Sequence, residues 1–225
     1  MDAPDVRAAC VAIIMDGNAR WARERDLPVL EGHREGAQTL KRTVRHAVEL
    51  DVAELTVYAF STENWTRPRD EVDGLMAMFA DLIESETPEL HEEGVRMRFV
   101  GRRDRISDEL RGRMDWAEET TRANERMRLF VAFDYGGRAE IVDAAASFEG
   151  GGEDDFARLL YAPEMRDPDI LIRTSGERRL SNFLLWQCAY SELVFSEALW
   201  PDFGKDDLAA ALSELSARQR RFGAR

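Results

Sequence analysis

Short apolar segments recur along the chain and alternate with stretches of helical spacing. Most are continuous apolar runs, the pattern of strands buried on both faces, and one alternates as a strand with a single buried face does. Turn-forming residues follow several of them, such as Asp16-Gly17-Asn18 after the first run. The predicted strands cover residues 10–15, 55–60, 95–100, 129–133, 170–172 and 193–195.

Between these runs, apolar residues fall at the three- and four-residue spacing of an amphipathic helix. The predicted helices cover residues 33–50, 104–124, 138–146 and 206–221, and Pro68 suits the first turn of a further helix. Alternating strands and helices predict an α/β fold with a central, mostly parallel six-stranded sheet flanked by helices. No Gly/Ser/Pro-rich linker interrupts the pattern, so we expect a single domain over residues 1–225.

The helix after Pro68 carries an apolar stripe rich in Leu, Met and Phe, from Val72 to Leu90. Such a stripe most often packs against a core. The alternative interpretation is that this helix walls an apolar tunnel between the sheet and the helices.

Polar clusters follow three of the predicted strands, at residues 16–18, 61–64 and 173–176. In parallel α/β sheets, ligands bind beyond the carboxyl ends of the strands. Three polar loops at such ends favour a shared binding site over ordinary solvated turns.

The net charge of −13 disfavours a nucleic-acid partner. Lys41 and Lys205 are the only lysines among the 31 basic residues, so the basic side chains are almost all arginine. Because such an acidic protein repels anions at long range, an anion site would need locally clustered arginines and backbone N–H groups.

Sequence features also bear on location and metal content. The first residues do not form a signal peptide, and no run approaches the roughly 18 apolar residues of a membrane span. We expect a cytoplasmic protein with at most a peripheral membrane contact. Cys10 and Cys188 are expected to be buried thiols, and no Cys/His spacing indicates zinc.

Each polar candidate has an ordinary structural interpretation beside a functional one. Asp16 suits an Asx turn or a helix N-cap, but also a Mg²⁺ ligand beside a phosphate. His33 could pack or cap, or donate to phosphate at a helix N-terminus. Arginine side chains that suit phosphate oxygens also cluster near the strand ends, although charged loops are common; these are Arg20, Arg34, Arg67, Arg173, Arg178 and Arg179.

Two motifs are absent from the sequence. No DDxxD motif occurs, which disfavours the all-helical trans-prenyl synthases. No GxxxxGK[ST] motif occurs either, so a P-loop nucleotide hydrolase is disfavoured.

Longer sequence segments carry a specific resemblance. VAIIMDGNARWA, GHREGA, YAFSTENWTRP, DYGGRAEIVDA, DILIRTSGERRLSNFLLWQCAYSEL and LWPDF occur in this order, between residues 11 and 223. Together they resemble undecaprenyl diphosphate synthases and other cis-prenyltransferases. The resemblance implies an enzyme that condenses isopentenyl diphosphate with an allylic diphosphate, farnesyl or geranylgeranyl, using Mg²⁺ and acting as a homodimer.

The resemblance also implies roles for individual residues. Asp16 matches the Mg²⁺-associated aspartate, Asn64 the position of the proton acceptor, and Glu192 a second Mg²⁺ ligand that the dimer supplies. Substrate-binding positions are matched by Gly17, Asn18, Ala19, Arg20, Trp21, His33, Ser61, Thr62, Glu63, Trp65, Arg67, Arg173, Arg179, Leu180 and Ser181.

Two positions depart from the family pattern. The family usually has glycine at Ala19, and at Val29 it usually has an arginine that contacts diphosphate. Arg23, Arg25 and Arg34 are candidates to replace that arginine. Product length in this family depends on the tunnel lining, which we expect to include Ala59, Gly74, Met76, Phe79, Ile83 and parts of the strands that contain Met97 and Leu129.

A different class of function also fits the resemblance. Some relatives are non-catalytic subunits that bind prenyl chains or stabilise an active partner, and these generally lose the aspartate after the first strand and the RTSGE-like loop. This chain keeps Asp16, Asn64, Arg173, Arg179 and Glu192, which favours the enzyme.

Overall fold

The protein is described here by a computed structural model that covers residues 9–217. Its strands are β1 Cys10–Ile14, β2 Glu54–Ser61, β3 Val95–Val100, β4 Met127–Tyr135, β5 Ile170–Arg173 and β6 Glu192–Phe195. Its α-helices are α1 Asn18–Arg23, α2 Val29–Glu49, α3 Arg69–Glu92, α4 Asp108–Thr121, α5 Gly137–Ser147, α6 Glu153–Ala157 and α7 Lys205–Ala217. Two 3₁₀ helices cover Thr62–Thr66 and Trp200–Asp202.

The six strands form one sheet in the order β3-β4-β2-β1-β5-β6, and every neighbouring pair is parallel. The α/β fold and the six-stranded sheet predicted from the sequence are confirmed. β1 lies between β2 and β5, so the chain leaves it in one direction for β2 and later returns to its other side. Ligands bind at such switch points in open parallel sheets.

Side chains of β1 alternate between two cores, one on each face of the sheet. Val11 and Ile13 pack with α2, α3, α4 and α7 residues on one face, and Ala12 and Ile14 belong to the core on the other. All five β1 residues are buried. Burial on both faces explains why this strand reads as a continuous apolar run.

Several element boundaries differ from the prediction. α2 begins at Val29 instead of residue 33, and the short helices α1 and α6 were not predicted. The helix expected over residues 104–124 begins at Asp108, because the Ser107 side chain accepts a hydrogen bond from the N–H of Leu110 and caps it. The predicted end of the last helix, residues 218–221, lies outside the described residues.

α1 packs closely against α2 at a glycine. A Cβ atom added at Gly32 would lie 2.1 Å from the backbone oxygen of Asn18 and 3.1 Å from the Cβ of Ala22. Only a residue without a side chain permits this separation of the two helices. The contact sets where α1, and therefore the loop at Asp16, lies relative to α2.

Gly32→Ala is expected to destabilise the fold by about 1–3 kcal/mol, because backbone atoms must move apart. Chemical denaturation monitored by circular dichroism measures the change in the free energy of unfolding. Gly112→Ala is the matched control: it lies within α4 with no atom within 4 Å of an added Cβ. There the substitution should stabilise by about 0.4–1 kcal/mol. Equal effects of the two substitutions would contradict the close packing of α1 on α2.

Candidate active site

A cavity of about 950 Å³ opens at the carboxyl edge of the sheet, between the strands and helices α1, α2 and α3. Its mouth is polar and its interior is apolar. The mouth is lined by Asp16, Gly17, Asn18, Ala19, Arg20, Arg23, His33, Ser61, Glu63, Asn64, Arg67, Arg173, Arg179, Ser181 and Asn182. The interior is lined by Ala37, Leu40, Ala59, Phe60, Leu75, Met78, Phe79 and Leu82.

Asp16 lies directly beyond the carboxyl end of β1. Its backbone N–H donates to Thr174 Oγ1 at 2.9 Å, and the Thr174 hydroxyl donates to the Asp16 carbonyl at 2.6 Å. Its carboxylate accepts a hydrogen bond from Arg173 Nη2 at 2.7 Å. The N-cap of α1 is Gly17, in a left-handed conformation with φ of 113°, so the Asp16 carboxylate does not cap the helix.

Arg173 is the last residue of β5, and only 3% of its surface is exposed. Besides Asp16, its guanidinium contacts the Arg179 carbonyl and the Ser181 hydroxyl, both at 2.6 Å. It therefore ties the start and the end of the following loop to the β1 loop. The predicted residues Asp16, Arg173, Arg179 and Ser181 come together at one edge of the sheet.

Glu177 connects two arginines from different elements. Its carboxylate pairs with Arg20 of α1 at 3.4 Å and with Arg179. Arg20 also donates to the Ser175 carbonyl at 3.1 Å. Two of the arginines at the mouth are thus held near each other by one carboxylate.

The 3₁₀ helix after β2 brings Asn64 to the mouth of the cavity. Asn64 Oδ1 accepts a hydrogen bond from the Ser61 N–H at 3.1 Å, which fixes the side chain against the end of β2. Glu63 Oε1 accepts from Asn182 at 2.8 Å, linking this helix to the loop after β5. Arg67 ends the 3₁₀ helix and pairs with Glu71 at 3.1 Å.

Four buried polar atoms at this edge of the sheet have no hydrogen-bond partner among residues 9–217. They are Asn18 Oδ1, His33 Nε2, Arg173 Nε and Ser175 Oγ. Buried polar groups without a partner are costly and therefore uncommon in proteins. Their concentration here indicates that the site is built for a polar ligand.

His33 lines the cavity from the first half of α2. Burial, and then the positive charge of Arg67, lower the pKa of its imidazole from 6.5 to about 4. His33 is therefore neutral near pH 7 and supplies one N–H donor and one acceptor instead of a positive charge.

Four predicted substrate-binding residues do not line the cavity. Trp21 donates to Asp202 and lines a second, neighbouring cavity. Thr62 contacts Glu63, and Leu180 packs against the core on the opposite sheet face. Trp65 packs on Phe60 and donates to the buried Asp134 at 2.7 Å.

Trp65 nevertheless stabilises the site indirectly, through contacts outside the cavity. Asp134 holds the Trp65 indole and also pairs with Arg105, whose guanidinium lies 5.3 Å from the indole ring centre. These contacts fix the 3₁₀ helix that carries Asn64.

Glu192 lies far from Asp16 within one chain. It is the first residue of β6 and is in register with Ile170, whereas Arg173 is in register with Phe195 at the other end of the strand. Glu192 is thus at the amino edge of the sheet and Asp16 beyond the carboxyl edge. No group of three or more His, Cys, Asp or Glu side chains within residues 9–217 is arranged to hold a metal.

The apolar interior agrees only partly with the predicted tunnel lining. Ala59 and Phe79 line it, but Gly74, Met76, Ile83 and the strands of Met97 and Leu129 are not part of the lining. Ile83 points into the core, and the face of α3 toward the cavity carries Leu75, Met78 and Leu82. The apolar stripe on α3 is wide enough to pack against the core and also to line the cavity. Periodicity alone does not show which of its side chains face the core and which face the cavity.

Both positions that depart from the family pattern, Ala19 and Val29, line the cavity. Of the three arginines considered as replacements for the family's arginine at Val29, Arg23 lines the cavity, and Arg25 and Arg34 do not. Asn182 was missed, because no local pattern indicates that it contacts Glu63 across the mouth.

Known proteins match nearly the whole chain. A family model described as "Putative undecaprenyl diphosphate synthase" matches residues 14–223. An isoprenyl transferase of Thermotoga maritima is 48% identical over 222 residues, covering 95% of this chain and 95% of the relative. A ditrans,polycis-undecaprenyl-diphosphate synthase ((2E,6E)-farnesyl-diphosphate specific) of Micrococcus luteus is 46% identical, covering 95% and 90%.

Solved structures match the fold. Lavandulyl diphosphate synthase from Lavandula x intermedia, in complex with dimethylallyl diphosphate, has a TM-score of 0.92 and 35% identity, and the match covers 97% of this chain and 99% of that one. A probable undecaprenyl diphosphate synthase from Campylobacter jejuni has a TM-score of 0.82 and 31% identity, covering 96% and 98%. This chain belongs to the undecaprenyl diphosphate synthase family of prenyltransferases.

Proposed function

We propose that this chain condenses isopentenyl diphosphate with an allylic diphosphate, farnesyl or geranylgeranyl, to make a polycis-polyprenyl diphosphate of the undecaprenyl type. One observation carries the proposal: a single cavity joins a mouth lined by arginines to an interior lined by apolar side chains. Such a cavity suits a molecule with an anionic head and a hydrocarbon tail. The names of the relatives support the same substrate class.

The proposed reaction forms one carbon–carbon bond and breaks one carbon–oxygen bond. The C4 carbon of isopentenyl diphosphate attacks C1 of the allylic substrate, whose C1–O bond breaks as diphosphate leaves with the bonding electrons. A proton then leaves C2 of the isopentenyl unit and restores a double bond. Negative charge grows on the leaving diphosphate, so fixed cationic donors stabilise the transition state.

Residues at the mouth divide between the two substrates in this proposal. Arg173, Arg179 and Ser181 bind the diphosphate of isopentenyl diphosphate, and Arg20 with the backbone of residues 17–20 binds the allylic diphosphate. Glu177 pairs with both Arg20 and Arg179, and Asp16 pairs with Arg173. These ion pairs support the arrangement, because they hold residues of the two proposed diphosphate sites near each other. Holding both substrates together supplies much of the rate enhancement.

We assign Asn64, at the mouth of the cavity, as the acceptor of the departing proton. One lone pair of its Oδ1 accepts the Ser61 N–H, and the second remains available to accept from a proton donor or a water molecule. His33, neutral at pH 7, donates to the allylic diphosphate from the other side of the mouth.

The donor set at the mouth fits Mg²⁺ bound largely through substrate. Mg²⁺ prefers one or two carboxylates together with phosphate oxygens and water, and Asp16 supplies a carboxylate beside the proposed diphosphate sites. When bound there, Mg²⁺ would neutralise charge on the leaving diphosphate. Glu192 lies at the opposite edge of the sheet within one chain, so it would serve as a second Mg²⁺ ligand only from the partner of the proposed homodimer.

Location is also part of the proposal. No helix within residues 9–217 is both long enough and apolar enough to cross a bilayer. We place the reaction in the cytoplasm, with peripheral membrane contact through the lipid product.

The activity is tested by incorporation of radiolabelled isopentenyl diphosphate into butanol-extractable product, with geranyl, farnesyl or geranylgeranyl diphosphate as primer. We expect labelled polyprenyl product with Mg²⁺ and at least a hundredfold loss of incorporation in EDTA, of the order expected when electrostatic stabilisation of the leaving group is lost. Added Mg²⁺ should restore it. A folded protein that makes no product with any primer, yet binds prenyl diphosphates equally in EDTA, would instead be a prenyl-binding subunit.

Asp16→Asn is expected to lower turnover by about 10²–10³-fold, because it removes the carboxylate charge beside the leaving group. The amide oxygen still accepts from Arg173 but no longer balances the charge of this buried guanidinium, so the midpoint of thermal unfolding should fall moderately while the protein stays folded. Asp108→Asn, at an exposed position in the first turn of α4, is the matched control and should keep full turnover. Normal turnover by Asp16→Asn would remove Asp16 from the mechanism.

His33 is expected to stay neutral from pH 8 to about pH 5, since burial lowers its pKa to about 4. NMR of the imidazole ring, assigned with His33→Gln, measures the titration. The unfolded chain binds this proton near pH 6.5, so stability should fall as the pH drops from about 6.5 toward 4, and less steeply in His33→Gln. A midpoint near 6.5 for His33 in the folded protein would contradict the buried, neutral imidazole.

A further inference from the structure

The arginines that line the cavity differ in whether they already have an anionic partner. Arg173 pairs with Asp16, Arg67 pairs with Glu71, and Arg20 and Arg179 share Glu177. A diphosphate that binds these side chains must compete with a carboxylate for each of them.

Arg23 is different. It lines the same cavity, and its guanidinium makes no hydrogen bond or ion pair with any residue of the range 9–217. An anion can bind it without displacing a carboxylate. In a protein with a net charge of −13, an arginine without a carboxylate partner at a cavity mouth is a local exception to the acidic surroundings.

The position of Arg23 places it beside Arg20. The two are three residues apart on α1, a spacing that puts side chains on the same face of a helix. The facing part of α2 contributes Val29 and His33 to the cavity. Val29 has no charge, and His33 is neutral near pH 7, so neither supplies a cation to this wall.

We propose that Arg23 is a further substrate-binding residue, whose guanidinium contacts the allylic diphosphate next to Arg20. This inference rests on the proposed function, because it assigns the anion to the allylic substrate. An arginine fork contacts phosphate oxygens through two parallel N–H groups, a geometry that a lysine cannot reproduce.

Two nearby arginines are not equivalent to Arg23. The Arg25 guanidinium lies 4.3 Å from the centre of the Trp21 ring and pairs with Asp202 at 3.3 Å. Arg34 pairs with Glu31 and lines the second cavity. Both guanidiniums are engaged away from the mouth.

The test compares Arg23→Gln with Arg34→Gln, which removes the same charge from a neighbouring helix. Isothermal titration with a non-reactive thio analogue of farnesyl diphosphate measures the Kd, with and without Mg²⁺. We expect Arg23→Gln to raise the Kd about tenfold, the loss of one charge-assisted contact. Arg34→Gln should stay within about twofold, as a surface ion pair contributes little.

Steady-state kinetics give a second readout that a merely structural role would not produce. The KM for the allylic primer should rise about tenfold in Arg23→Gln, again as expected for one lost charge-assisted contact. The KM for isopentenyl diphosphate and the thermal midpoint should not change. Arg23→Lys should recover part of the affinity, since it restores the charge but not the fork.

Three outcomes would overturn the inference. Equal weakening by both glutamine variants would indicate a general effect of net charge, and an unchanged Kd in Arg23→Gln would show that Arg23 makes no contact. A rise confined to the KM for isopentenyl diphosphate would assign Arg23 to the other substrate. If the unaltered protein bound no allylic analogue and made no product, the proposed function would fall, and this inference with it.

Discussion

The ion pair between Asp16 and Arg173 holds the candidate site together. It joins the residues beyond β1 to the end of β5, two strands that are neighbours in space but far apart in the chain. The Arg173 side chain is 4% exposed and that of Asp16 is 35% exposed. Removing one partner of a fully buried pair costs about 3–5 kcal/mol, and the partial exposure of Asp16 reduces that figure here.

The same interaction bears on the proposed function, in which two anionic substrates share one site. Two diphosphates repel each other, so a site that holds both needs cations that are fixed between them. Arg173 is fixed by three groups, the Asp16 carboxylate, the Arg179 carbonyl and the Ser181 hydroxyl. A side chain held in this way loses little conformational freedom when a substrate binds, which favours affinity.

Much of the fold could be predicted from the sequence, because buried parallel strands carry a strong local signal. β1 and β5 are continuous apolar runs, and their positions were predicted to within one residue. The predicted starts of α2 and α4 were each wrong by four residues. Arg105, expected within a helix, instead lies before α4 and reaches Asp134 across the fold, and no pattern of neighbouring residues indicates such a contact.

Part of the candidate site could also be predicted from the sequence. Asp16, Asn64, Arg173 and Ser181 belong to conspicuous segments at strand ends, where the topology of a parallel sheet brings them together. Arg23 could be distinguished from the other candidate arginines, Arg25 and Arg34, only from the structure. Among many arginines in an acidic chain, only the three-dimensional structure distinguishes one that lines a cavity without a carboxylate partner.

The loop after β5 holds conformations that its residues do not favour by themselves. Ser175, Ser181, Asn182 and Leu184 all have positive φ angles, which cost about 1–3 kcal/mol each for such residues. Tertiary hydrogen bonds offset this cost: the Ser175 N–H donates to the Ala198 carbonyl at 2.7 Å, and the Asn182 carbonyl accepts from Gly137 at 2.7 Å. The β6 side of the sheet and the start of α5 therefore hold the loop that carries Arg179 and Ser181. A substrate would therefore bind arginines whose positions the fold already sets. The free energy of folding, and not that of substrate binding, offsets the backbone strain.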